Sequence, residues 1–105
     1  MEAVNILYFG KHQDILETVI RLINGRENWT GNGVSEIESA IGLIEKSTFD
    51  LILLGCGIPE SEEQELRNYL NESHPEIKVI QHYGGGSGLL FNEVLEALNN
   101  NTAII

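Results

Sequence analysis

The chain reads as an α/β protein with a parallel sheet between two layers of helices, and three observations point there. Phe49-Asp50-Leu51-Ile52-Leu53-Leu54 is an apolar run that stops abruptly at Gly55-Cys56-Gly57-Ile58-Pro59, the pattern of a central strand buried on both faces. Val4–Phe9 and Ile77–Tyr83 are further β-prone runs that end at glycines. Segments of helical period separate the three, and strand-helix alternation implies parallel pairing through right-handed crossovers, hence a three-layer sandwich. The 105 residues make one domain, 1–105, large enough for a single core without a metal or disulfide staple.

Each element has a local reason. Val4–Phe9 (Val-Asn-Ile-Leu-Tyr-Phe) forms the first strand and ends at Gly10. Ile15, Leu16, Val19, Ile20, Leu22 and Ile23 recur at helical spacing, and Asn24-Gly25 supplies a stop, so a helix is expected from Gln13 to Ile23. The stretch Arg26–Val34 has little pattern, and a short second strand is placed at Asn28–Thr30 by position alone. Ser35-Glu36-Ile37-Glu38 matches a capping box ahead of an apolar stripe of Ile37, Ala40, Ile41 and Ile44. A second box, Ser61-Glu62-Glu63-Gln64, opens a helix expected to bury Leu66, Tyr69 and Leu70. His74-Pro75 breaks that helix, Ile77–Tyr83 is the next strand, and Gly84-Gly85-Gly86-Ser87-Gly88 leads into an amphipathic helix, Leu89–Leu98. Thr102–Ile105 is β-prone.

Charge and composition narrow the function. Sixteen acidic against six basic side chains give a net charge of −10, a surface that repels phosphate backbones and anionic lipids, so neither nucleic acid nor membrane is expected as a partner. No apolar run approaches the roughly 20 residues that span a bilayer, and Met1-Glu2-Ala3-Val4 lacks the basic start of a signal peptide, so a soluble cytoplasmic protein is expected. The lone Cys56 forms no internal disulfide and reads as a small buried apolar side chain. His12, His74 and His82 lack metal-ligand spacing, so no cofactor or metal is expected. Trp29 reads as a packing or surface aromatic.

At this point the order of elements resembles a response-regulator receiver domain, the CheY-like phosphorylation module of two-component signalling. The resemblance runs from Asn5 to about Tyr83. It is strongest in Phe49–Pro59, where Phe-Asp-Leu-Ile-Leu-Leu, one residue, two more and Ile-Pro follow the receiver's central strand. It implies a flavodoxin-like strand order 2-1-3-4-5, with the fifth strand short or absent here. Family members carry two acids after the first strand that hold magnesium, an acceptor aspartate after the third, a serine or threonine after the fourth and a lysine after the fifth. The matching positions here are Gly10 and Lys11, Gly55, Tyr83, and nothing, because the sequence stops at Ile105. Of the remaining acids, Asp50 falls at the wrong edge of the sheet, while Asp14 and Glu60 are expected near the vacated positions. Catalytic residues and metal ligands are therefore expected to be absent.

The reading that follows is a stand-alone pseudo-receiver, not an enzyme, that acts through a protein partner, with a two-component signalling protein as the class the resemblance implies. The alternative is a sensor of a small anion or nucleotide on Gly84, Gly85, Gly86, Ser87 and Gly88, whose amides and following helix start could cradle phosphate. Two arrangements of the end remain open. In the preferred one Leu89–Leu98 is the fourth helix and Thr102–Ile105 a short fifth strand; in the other that helix takes the last position and the fifth strand is lost. Either leaves apolar surface or an open strand edge, so a homodimer is expected.

Overall fold

A computed structural model describes residues 3–55, 57–81, 94, 96 and 97. In chain order these form β1 (Val4–Phe9), α1 (Gln13–Asn24), β2 (Trp29–Val34), α2 (Ile37–Lys46), β3 (Leu51–Leu54), α3 (Glu60–Ser73) and β4 (Lys78–Gln81). The four strands make one parallel sheet in the order β2-β1-β3-β4. This is the order expected for the first four strands; the fifth lies outside the described residues.

Side-chain alternation sends each central strand into two cores. Ile6 and Tyr8 of β1 and Leu51 and Leu53 of β3 join Leu16, Val19 and Ile23 of α1 on one face. Leu7, Phe9, Ile52 and Leu54 join Ile37, Ala40 and Ile44 of α2 and Leu66 and Leu70 of α3 on the other. All four residues of β3 are fully buried, which is why its sequence runs apolar without alternation. Tyr69 is only partly buried; its hydroxyl donates to Glu45 Oε2 at 3.1 Å, tying α3 to α2.

Several expectations need correction. The second strand covers Trp29–Val34, not Asn28–Thr30. Asn28 is the left-handed residue before it (φ 72°), a conformation asparagine tolerates, and its carbonyl accepts the Val4 N–H at 2.8 Å. Neither capping box forms. The N-cap position of α2 is Glu36, without a side-chain cap bond, and α3 begins a residue before Ser61, behind Pro59 (φ −61°). The Pro59 carbonyl accepts the Glu62 and Glu63 N–H groups, and three glutamates in the first turn suit the positive end of the helix dipole. Of Leu89–Leu98, Val94, Glu96 and Ala97 are described and helical. Val94 and Ala97 are buried in the core on the α1 side. The rest of that segment, and with it the choice between the two arrangements of the end, lies outside the described residues.

Candidate functional site

In a parallel α/β sheet, loops at the carboxyl ends of the strands gather reactive groups. Here that edge brings together Gly10, Lys11 and Gly55. Gly10 N–H donates to the Val34 carbonyl at 3.1 Å and Gly55 N–H to the Phe9 carbonyl at 2.8 Å, so both glycines extend the ladder by one step. The Gln81 side-chain amide donates to the carbonyls of Leu54 (2.9 Å) and Gly55 (3.2 Å), closing the end of β3 from the β4 side.

What fills the site is a residue the sequence reading passed over. Tyr8 is 1% exposed, and its ring runs along the sheet toward both glycines. A Cβ on Gly10 would meet Tyr8 Cε2 at 2.8 Å, and one on Gly55 would meet Tyr8 Cζ at 2.6 Å and the phenolic oxygen closer still. No side chain fits at either position while the ring stays where it is. The available signal was indirect: a large aromatic two residues before Gly10, facing a second glycine at the end of the neighbouring strand.

On the other face of the sheet edge stands Lys11. Its ammonium donates to the Ser35 carbonyl at 2.7 Å, pairs with Glu62 Oε1 at 2.8 Å, lies 3.9 Å from Glu36 Oε1 and sits 5.6 Å from the Phe9 ring centre. Glu62 Oε1 is sealed from solvent, with the ammonium as its counter-ion. The hydrogen bond to Glu62 holds the Lys11 pKa above its usual 10.5, against a lowering by burial and with further help from the charges of Glu36, Glu62 and Glu38. Gly57 (φ +83°) turns the loop after β3 so that it approaches Lys11, its own Cβ position lying 3.4 Å from Lys11 Cβ. One lysine thus ties the loop after β1 to the loop after β2 and to the first turn of α3.

The acid that reaches this edge is therefore Glu62. Asp14 is exposed in the first turn of α1, and Glu60 is exposed at the start of α3. Asp50 lies at the opposite end of the sheet, where its carboxylate accepts the Asn5 N–H at 2.8 Å. His12 is exposed ahead of α1 and His74 follows α3, far along the chain from Lys11; Trp29 is a core residue with the Arg26 guanidinium 4.9 Å from its ring centre. Cys56, His82, Tyr83 and Gly84, Gly85, Gly86, Ser87 and Gly88 lie outside the described residues. Magnesium takes hard oxygen ligands, and among the described residues no three His, Cys, Asp or Glu side chains gather to hold a metal ion. With an ammonium in their midst, Glu62 and Glu36 do not fit the magnesium site that the receiver resemblance implies. Among the described residues no helix is long and apolar enough to cross a membrane.

No protein-family model matches the sequence, and comparison with curated proteins finds no match. Solved structures do match. The signal receiver domain of an HD domain-containing protein from Pseudomonas fluorescens Pf-5 superposes with a TM-score of 0.76 at 14% identity, over 98% of this chain and 92% of that one. The receiver domain of the hybrid histidine kinase CckA gives 0.66 at 17% identity, over 90% and 98%. The non-phosphorylated receiver domain of the stress response regulator RcsB from Escherichia coli gives 0.64 at 16% identity, over 91% and 76%.

Proposed function

We propose, from the premise that the chain has the fold of response-regulator receiver domains, that it is a signalling module in which aspartyl phosphorylation does not operate. It is a pseudo-receiver: it carries no catalysis and works in the cytoplasm through contact with another protein, a two-component signalling component being the class that the fold suggests. The observation that carries this reading is the Tyr8 ring beside Gly55. Phosphoryl transfer to a receiver needs an acceptor oxygen and a cation that neutralises the transferred group. Here the position after β3 has no side chain, and the neighbouring space is taken by a phenol that is part of the core. The Lys11 ammonium, already engaged by Ser35 and Glu62, supports the same conclusion.

Incubation with acetyl phosphate and magnesium, read by intact mass, tests the reading. No added phosphoryl group is expected, and a stable adduct on the folded protein would overturn it. We propose further that the protein pairs with itself as a homodimer. Light scattering should show a dimer at about 100 μM, a concentration at which even weak specific contacts are populated; a monomer there removes that part of the proposal.

A further inference from the structure

An edge strand offers a row of unpaired backbone groups to any second strand, and among the described residues β2 is such an edge. The Asn28 and Val34 carbonyls accept from Val4 and Gly10, so the even-numbered residues of this stretch turn toward β1. In a parallel ladder the alternate residues, Trp29, Gly31 and Gly33, then turn their N–H and C=O groups outward. Trp29 N–H is satisfied locally by the Arg26 carbonyl at 3.2 Å. Gly31, at the centre of the edge, has both groups taken by one side chain: its N–H donates to Asn24 Oδ1 at 2.9 Å, and Asn24 Nδ2 donates to its carbonyl at 3.4 Å. A carboxamide carries the same donor and acceptor as a peptide, so Asn24 occupies Gly31 as one residue of a neighbouring strand would.

Two features make this arrangement specific. Asn24 is the last residue of α1, and it reaches round the edge because α1 lies close over β2: a Cβ on Gly31 would stand 2.8 Å from Ile23 Cγ2, and one on Gly33 2.7 Å from Leu16 Cδ2. The second feature is charge. Copies of a chain with net charge −10 repel one another, but Trp29-Thr30-Gly31-Asn32-Gly33-Val34 contains no charged residue. Along this strand the usual protection against edge pairing is absent.

We propose that Asn24 is an edge stopper: it prevents β2 from pairing with β2 of a second copy across a two-fold axis, which would join two sheets into one. Self-association of the native chain therefore uses another surface, and this inference stands whether or not the protein is phosphorylated. The test compares the parent with Asn24→Ala by light scattering over a concentration series, together with amide exchange at Gly31. In dilute parent protein the Gly31 amide should be protected. In Asn24→Ala, at concentrations too low for it to assemble, it should exchange about tenfold faster, the effect of losing one hydrogen bond. The variant should also assemble one doubling beyond the parent. Adding Thr30→Lys and Asn32→Lys, at two exposed positions on the same strand, should return it to the parental mass. An unprotected Gly31 amide in the parent overturns the proposal. So does a folded Asn24→Ala protein of parental mass at every concentration, or an association that the two lysines leave unchanged.

Discussion

The two ends of this sheet carry opposite charges on the same kind of duty. At the amino end the Asp50 carboxylate accepts the Asn5 N–H, and the Asp50 N–H donates to the Asn5 carbonyl at 2.8 Å. At the carboxyl end the Lys11 ammonium donates to the Ser35 carbonyl and pairs with Glu62. Parallel strands leave N–H groups free at one end and C=O groups free at the other, so an anion suits the first and a cation the second. At the carboxyl end the cation is borne by the chain itself, and the Tyr8 ring stands against Gly10 and Gly55. The difference teaches that the two ends of one parallel sheet can be closed by side chains of opposite charge, the carboxyl end with an aromatic ring beside it.

The comparison can be broken most directly at Tyr8. Tyr8→Ala should cost about 3–5 kcal/mol in urea unfolding, the range for removing a fully buried aromatic side chain. A near-neutral result would mean that the ring does not fill the edge. Gly55→Ala comes next, at about 1–3 kcal/mol from overpacking against the ring. The same change in a Tyr8→Leu background should cost clearly less, and additivity in that double-mutant cycle would remove the proposed contact. At the other end, Asp50→Ala should cost about 1 kcal/mol, the net value of a backbone bond to an exposed carboxylate.

The smallest effect is expected at Lys11, and pH sharpens it. Its folded pKa is raised above 10.5, chiefly by the hydrogen bond to Glu62, so its contribution is fully present below pH 10.5 and is lost as pH rises through the folded value. Lys11→Met should therefore be modestly less stable than the parent at neutral pH, and the gap should close in strong alkali. Tyr69 titrates in the same direction. Burial first, and then its bond to Glu45, raises its pKa above 10.0, so its contribution also fades as pH rises past that value. Repeating the comparison in a Tyr69→Phe background separates the two; a gap between parent and Lys11→Met that does not change with pH there would discard the ion pair as its cause.

Much of the frame was legible because strong periodicity and burial agree. The helix from Gln13 and the continuous apolar run of β3 appear where the residues put them, the helix one residue longer at Asn24. Gly10, Lys11 and Gly55 meet at one edge. The two capping boxes failed for a common reason. A cap is worth about 1 kcal/mol, and tertiary contacts of similar size decide otherwise. The Ser35 carbonyl is engaged by Lys11, and Glu62, assigned to a box, serves instead as the ammonium's counter-ion.

By itself the order of residues determined the alternation of strands and helices and the strand buried on both faces, because each rests on local spacing. Only the tertiary structure decided that Tyr8 packs against Gly10 and Gly55, that Lys11 joins the loop after β2 to the first turn of α3, that Val94 and Ala97 pack on the α1 side and that Asn24 closes β2. Those four depend on which strands are neighbours and how closely a helix lies over a glycine. Such distances arise between residues far apart in the chain, where neither propensity nor period carries information.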